Sequence, residues 1–431
     1  MRIRPLVASA TAAVSAAAVL TGCGAAGGAG TDGPVTLELW SWTAEGQSVV
    51  DQWNNENPDI QVKLTDAGGG DESSQKLLTA SRAGNAPDLA LVEYTTLPSL
   101  IVADVPQEIT DYVGDVQDAF TEGTWAQTTF DGAVFGVPQD VGPMAFVYRT
   151  DRFEELGVPV PTTWEEFRTA AAAVKEADPD AVITSLPPTE FGFFAGVATQ
   201  AGGEWWSVDG DEWTVGIADE ASLEVADYFE ELATDGLIQT EPLLTPEYNA
   251  MVNAGTMLSW PSAVWAPSVI ESVAPDTAGK WAMAPLPQWT PGDKAVAYQG
   301  GSALVVTKDS EHPEEAAKFA TWLNASEEGN GLLLDTQSLY PASDEGQEMA
   351  ESNDPPSLMP QQKDFYSVAA DISSDTVPVT WGPDVNLAKS VFEDELGKAI
   401  KNGTPWRDAF VATQDAVVAD MKETGFTVSN G

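Results

Sequence analysis

Histidine and cysteine are almost missing from this chain. Its 431 residues contain one of each, His312 and Cys23. A Ser-His-Asp hydrolytic site would have to be built on His312, but that residue sits before Pro313 where a helix is expected to start, and it reads as serving the helix terminus. A zinc site of His and Cys cannot be assembled, and no disulfide can form within the chain. Cations are scarce as well. Nineteen Lys and Arg face 67 Asp and Glu, a formal net charge of −48. Such a field repels phosphate backbones, which argues against nucleic acid as a partner. Apolar residues still make up 43% of the chain, as expected of packed cores rather than of an acidic disordered tail. What the chain has in excess is tryptophan, fifteen residues in all. Trp offers wide apolar faces and a single N–H donor, a combination that favours binding surfaces.

Arg2 and Arg4 precede an apolar stretch from Leu6 to Leu20, long enough for a secretory leader and too short for a membrane span. The stretch ends in Leu20-Thr21-Gly22-Cys23, which resembles a bacterial lipobox. That resemblance implies cleavage before Cys23 and acylation of its thiol and amine. Residues 1–22 are therefore expected to be a lipoprotein signal peptide, and residues 23–34, rich in Gly and Ala, a flexible tether. The tether contains Gly28-x-Gly30-x-x-Gly33, the letters of a dinucleotide fingerprint. No strand precedes it and no amphipathic helix follows, so it fails as a phosphate cradle.

Beyond the tether, strand and helix patterns alternate. Strands are predicted at Val35–Trp40, Ile60–Leu64 and Asp88–Glu93, with helices over Glu45–Glu56 and Ser73–Ala83 between them. This order argues for an α/β fold with a parallel sheet and right-handed crossovers. Extended segments follow at Phe135–Gln139 and Pro143–Tyr148. A capping box at Thr163-Trp-Glu-Glu166 opens a helix, a hairpin turns at Asp209-Gly210, and an amphipathic helix covers Ala221–Ala233. Further strands are expected at Trp281–Leu286 and Ser302–Thr307, a helix at Pro313–Asn324, and two helices broken near Gly403 between Lys389 and Lys422. Trp53, Trp164, Trp322 and Trp406 fall within or at the start of helices and read as core.

Several of these segments carry a family resemblance. Trp40-Ser-Trp-Thr-Ala-Glu45 with Asp51–Pro58, Ala83-Gly-Asn-Ala-Pro-Asp-Leu89, Phe135–Asp140, Val147–Phe153 and Thr163–Phe167 resemble, in order, segments of the carbohydrate-binding lipoproteins of ABC importers. Gly300-Gly-Ser302, His312–Ala317 and Trp381-Gly-Pro383 continue the match. The chain is similar to the actinobacterial branch of extracellular solute-binding protein family 1. The resemblance implies a two-lobed periplasmic-binding-protein-like fold (type II) with a hinge and three passages between lobes, near Pro138–Pro143, Tyr298–Ser302 and Ser338–Ser343. The lobes would then be residues 35–140 with 300–340, and residues 141–299 with 341–431. The implied partners are a small carbohydrate and the permease subunits of an ABC transporter, with the lipid as membrane anchor. A monomer without cofactor or metal is expected.

A sugar is held by aromatic rings on its C–H faces and by acids and amides at its hydroxyl edges. Such residues occur here where strands end, the place where ligands sit in open α/β sheets. The candidates are Trp40, Trp42 and Glu45 after the first strand, Glu93 and Tyr94 after the third, and Gln139 and Asp140 on the first passage. Trp205 opens the hairpin, Trp260 and Trp265 end a later strand, Gly300 and Gly301 lie on the second passage, and Trp381 sits in a loop. Against these stand bland readings: Trp40, Trp42 and Trp205 as core, and Glu93 and Asp140 as surface acids. Asp209-Gly210-Asp211 lacks the oxygen-rich loop of a calcium site.

Two other classes compete. A glycoside hydrolase would use two facing carboxylates, and a receptor for amino acids or peptides would use Arg or Lys against a carboxylate. Only Arg82 and Arg149 lie near the segments expected to form the cleft, so a neutral ligand, an oligosaccharide, is the better fit. The lone thiol makes the anchor testable. Cys23→Ser should abolish lipid attachment and release the mature chain from the membrane fraction, as fractionation after metabolic lipid labelling would show. Continued membrane retention of that variant would contradict the lipoprotein reading.

Overall fold

A computed structural model describes residues 33–431 apart from 44, 211, 338 and 378; the leader, Cys23 and nearly all of the tether fall outside the described residues. Strands Val35–Ser41 and Ile60–Asp66 pair in parallel, and Val35–Ser41 also pairs in parallel with Leu89–Glu93. Strand Tyr298–Val306 joins Leu89–Glu93 antiparallel. Helices Gly46–Glu56 and Gly70–Arg82 supply the crossovers. The three strands read as apolar alternations from sequence thus form one parallel unit, and their carboxyl ends all point the same way.

The two extended segments expected around residues 135–148 are one strand, Val137–Arg149. Pro138 and Pro143 had suggested an interruption. Proline is tolerated in this strand because its pairing shifts register and changes partners there. Up to Pro143 the strand pairs with Tyr298–Val306. From Met144 onward it pairs with Ser259–Ala263 and, on its other edge, with Trp281–Pro285. One continuous strand is therefore shared by two halves of the molecule. The second half is wrapped by helices Trp164–Ala177, Phe191–Gln200, Glu220–Thr234, Val385–Asn402 and Trp406–Thr424. Helix Phe191–Gln200 escapes an amphipathic search because its Phe-rich sequence is buried on nearly every side. A small second sheet joins the hairpin Trp206–Asp209 and Glu212–Val215 to the C-terminal strand Thr427–Asn430.

The helix caps follow the sequence. The Thr163 hydroxyl accepts from the Glu166 N–H, while the Glu166 carboxylate takes the N–H and hydroxyl of Thr162, one residue earlier than the usual box. Trp53, Trp164 and Trp406 are buried and Trp322 packs on the same core, as expected of core residues.

Asp140 lies between two neighbouring strands, with Ser302 opposite it on one side and Pro341 on the other. Residues 340–342 lie along the shared strand, with the Val141 N–H donating to the Tyr340 carbonyl and the Ala342 N–H to the Gln139 carbonyl. The Ser343 hydroxyl donates to Asn330 Oδ1, helix Asp344–Ala350 packs on Glu327–Gln337, and the Asn353 side chain still reaches Asp335. The chain reaches the second half at Ser357, whose hydroxyl donates to the Glu271 carboxylate, and at Leu358, whose carbonyl accepts from the Gly279 N–H.

Gly300 and Gly301 have φ of 81° and 89°. A Cβ on Gly301 would stand 2.8 Å from the Tyr94 ring and 3.1 Å from the Asp140 carbonyl. Gly301→Ala should therefore lower stability by roughly 2–4 kcal/mol. Gly403 also has positive φ but open space around it, so Gly403→Ala should cost about 1–2 kcal/mol. Denaturant unfolding of both variants checks the order; equal losses would mean that the crowding at Gly301 is unimportant.

Candidate ligand-binding cleft

A cavity of about 770 Å³ opens between the two halves. One wall is built from Tyr94 and Pro98, just after strand Leu89–Glu93, and from the turn that carries Gln127, Thr129, Phe130 and Asp131. The facing wall is built from the small sheet and its neighbours: Val208, Trp213, Trp381 and Phe426. Across the cleft the halves touch. The Gln127 side chain donates to the Val379 carbonyl at 3.4 Å, and the Asn386 amide donates to the Ser99 hydroxyl at 2.8 Å.

The hairpin shows how sequence places this wall. Trp206 pairs with Val215 and Val208 with Trp213. These four share one face of the ribbon, which starts in the core at Trp206 and emerges into the cleft at Val208, itself 50% exposed. Trp205 points the other way. Its ring packs on Phe191, Phe392 and Phe410, and its indole N–H donates to the Ser222 hydroxyl at 3.0 Å. Trp205 is therefore packed in the core, away from the cavity wall. The hairpin tryptophan in the cleft is Trp213. Alternation from the buried Val215 would have found it.

Other expected residues divide into three groups. Tyr94 and Trp381 line the cleft on opposite walls. Trp381 is 8% exposed and rests on Trp206 and Phe191.

Asp140, Gly300, Gly301, Trp265 and Trp260 gather at the hinge beside Tyr94. The Tyr94 N–H donates to the Gly301 carbonyl, and the Trp265 indole donates to the Gln299 carbonyl at 2.8 Å. Trp260 packs edge-on against Trp265. Trp265, expected to stack on ligand, instead clamps the second passage.

The third group stands apart from the cavity wall. Trp40 packs on the small cluster around Leu77 and Leu97, and Trp42 on the main core. Alternation had placed them on one side, but the strand ends at Ser41 and Trp42 leaves it. Glu45 is exposed at the entrance of helix Gly46–Glu56. Glu93 lies over Gly70, and Gln139 is buried with its carbonyl taken by the Ala342 N–H.

Electrostatics single out the hinge. Asp140 accepts a short hydrogen bond from the Ser302 hydroxyl, yet burial pushes its pKa up to about 6. Tyr94 is raised well above the ordinary value, by burial first and by Asp140 and Tyr298 next, so its hydroxyl remains a donor. That hydroxyl is buried without a protein partner, as are the Trp206 indole N–H and Gln299 Oε1. Orphans of this kind are rare and costly. Burial likewise lifts Glu190 to about 7.

Among the described residues no cation lines the cleft. Arg149 is buried, held by Asp151 and the Val252 carbonyl, with its guanidinium over the Trp281 ring. It is committed to structure. Among the described residues no group of acids, His or Cys is placed to hold a metal ion, and no helix is long and apolar enough to cross a membrane.

Residues 40–330 match the family model described as bacterial extracellular solute-binding protein. The chain belongs to that family. It is 29% identical over 323 residues to an arabinooligosaccharide-binding protein of Halalkalibacterium halodurans, covering 70% of this chain and 71% of that one. Among solved structures it is similar to the galacto-N-biose-/lacto-N-biose I-binding protein of Bifidobacterium longum in complex with lacto-N-biose. That match has a TM-score of 0.83 and 28% identity, over 93% of this chain and all of the other. A binding protein of B. animalis subsp. lactis in complex with β-1,6-galactobiose also scores 0.83, at 26% identity, over 92% of this chain and all of that one. The fold is accordingly the type II two-lobed, hinged fold of periplasmic-type binding proteins.

Asp140 gives a signed test. Its folded pKa of about 6 lies above the ordinary value of 3.8 for an aspartate, so ionising it in the folded state costs stability. That cost is absent below pH 4, grows as pH rises, and is complete above pH 6. Asp140→Asn should therefore gain on the parent between pH 4 and 7, by roughly 2–3 kcal/mol at most. A difference that stays constant with pH would contradict it.

Proposed function

We propose that this protein captures a neutral oligosaccharide between its lobes outside the cytoplasm and delivers it to the permease of an ABC transporter. The observation that carries the reading is the lining of the cleft: aromatic faces on both walls and, among the described residues, amide, hydroxyl and a single carboxyl group at the edges with no Lys or Arg. Rings match the C–H faces of a sugar, and the edge groups match its hydroxyls. The unpartnered Tyr94 hydroxyl, on a residue of the cleft wall, is a donor that a polyol can take. The sugar ligands named for the relatives support the same class.

Tyr94, Trp381 and Trp213 are the proposed contacts on the two walls, with Phe130 and Asp131 beside them. The lobes are proposed as residues 35–140 with 300 to about 353, and 141–299 with about 354 onward. Lobes joined by short strands close by hinge bending, and the ligand favours the closed form by touching both walls at once. Lipid attachment at Cys23 would hold the receptor at the outer face of the membrane, acting as a monomer.

The alternatives lose their residues. An amino acid or peptide would need a cation in the cleft, and Arg149 is committed elsewhere. A glycosidase needs a facing pair of carboxylates, whereas Asp131 is the only acid among the described residues of the cavity wall. We therefore assign binding and no catalysis.

The test is calorimetric titration with arabino- and galacto-oligosaccharides at low and high NaCl. Affinity should be flat with salt, because the ligand is uncharged. Trp381→Ala should weaken binding by roughly 1–3 kcal/mol, while Trp205→Ala should chiefly lower the stability of the free protein. A steep loss of affinity with salt would favour a charged solute, and release of reducing ends would favour a hydrolase.

A further inference from the structure

The cleft does not end at the turn that carries Phe130. A second cavity, of about 750 Å³, lies along the same turn, and Ala126 and Thr129 stand in the walls of both. Its wall holds Phe120 and Trp125, stacked at 5.6 Å and 24°, with Gln117, Asp118 and Glu122 around them. Lys and Arg are again absent from the lining. The second cavity thus repeats the chemistry of the first: aromatic faces with amide and carboxylate edges.

The platform is rigidly built. Thr121 caps the short helix Glu122–Ala126 by accepting from the Thr124 N–H, and the Thr128 and Thr129 hydroxyls both donate to the Trp125 carbonyl. Phe120 is buried and bridges to Ser343 beside the hinge. Trp125 lies on Phe120, half-buried, with part of its surface free. Just beyond, Gln127 ties the turn to Val379 on the opposite lobe. Closure of the lobes therefore fixes Trp125 relative to the cleft. A small-ligand pocket spans about 300–1,000 Å³. Either cavity fits that range, and the two together exceed it, so a ligand that fills both is a chain.

We propose that Trp125 and Phe120 form a distal subsite for the outer units of an oligosaccharide whose first units lie between Tyr94 and Trp381. This rests on the saccharide reading above and adds to it a chain-length preference and the residues that set it.

The test uses α-1,5-arabino-oligosaccharides and β-galacto-oligosaccharides of two to five units, titrated calorimetrically against the parent, Trp125→Ala and Trp125→Phe. In the series that binds, parent affinity should rise about tenfold from disaccharide to tetrasaccharide, as one stacked ring allows. Trp125→Ala should erase that rise while leaving disaccharide affinity within about twofold, and Trp125→Phe should keep most of it. Thermal melts show whether each variant is folded. A flat length profile in the parent would overturn the subsite. So would an equal loss at every length in folded Trp125→Ala, or slowed uptake with unchanged binding, which would mark the surface as a permease contact. Binding of neither series by the parent overturns the saccharide reading itself, and the subsite with it.

Discussion

Both halves of the molecule share a single strand, Val137–Arg149, and the geometry of the cleft follows from how that strand is held. At Asp140 it has a neighbour on each edge, Ser302 of the second passage on one and Pro341 on the other. Up to Pro143 it pairs with Tyr298–Val306, and from Met144 onward with Ser259–Ala263 and Trp281–Pro285. A backbone paired on both edges cannot slip, but it can bend where the pairing is irregular. The register of the second passage breaks between Tyr298 and Gly301, where two glycines adopt positive φ. Strong pairing at Asp140 beside an irregular stretch is what a hinge requires: a fixed axis with compliant backbone next to it. The Tyr94 backbone N–H and the Trp265 indole N–H donate to the carbonyls of Gly301 and Gln299 on this stretch, so the backbone of one cleft-wall residue is attached directly to the part that bends.

The charge of the protein has little to do with its cleft. Sixty-seven acids against 19 basic residues leave few cations to spare, and several of those are engaged in ion pairs, such as Arg152 with Glu155 and Asp178, and Arg168 with Glu231. The cleft wall carries aromatic and amide groups instead. A neutral ligand can enter such a site without displacing counterions or breaking a buried ion pair, so binding energy comes from stacking and from hydrogen bonds at the edges.

The parallel unit was legible because each of its strands carries a strong local pattern and each crossover is short. The shared strand was legible in composition but read as two pieces, since proline normally ends a strand and only pairing on both edges shows why it does not here. The hinge glycines, Tyr94 and Trp381 could be picked out because they end strands or sit in loops. Trp205 misled because adjacent residues in a ribbon face opposite ways, and nothing local says which of Trp205 and Trp206 faces in; the buried Val215 across the ribbon decides it. Trp213, Phe130 and Phe426 come from three distant stretches of chain that meet only through the small sheet and the turn opposite it. No local signal carries a meeting of that kind.

The small sheet also accounts for the position of the C-terminus. Strand Thr427–Asn430 pairs in parallel with Glu212–Val215, and the Gly431 N–H donates to the Val215 carbonyl. This pairing covers the hairpin edge that would otherwise expose unpaired N–H and C=O groups, and it brings Phe426 to the cleft wall beside Trp213. The facing wall is built on the turn after helix Glu122–Ala126, tied by its threonine hydroxyls. Each wall is thus a short, locally hydrogen-bonded unit resting on a large rigid core. Ligand contacts can change in such units without disturbing the shared strand. The fold therefore separates the constraint that makes closure possible, which lies in residues 137–149 and 298–302, from the surfaces that choose the ligand.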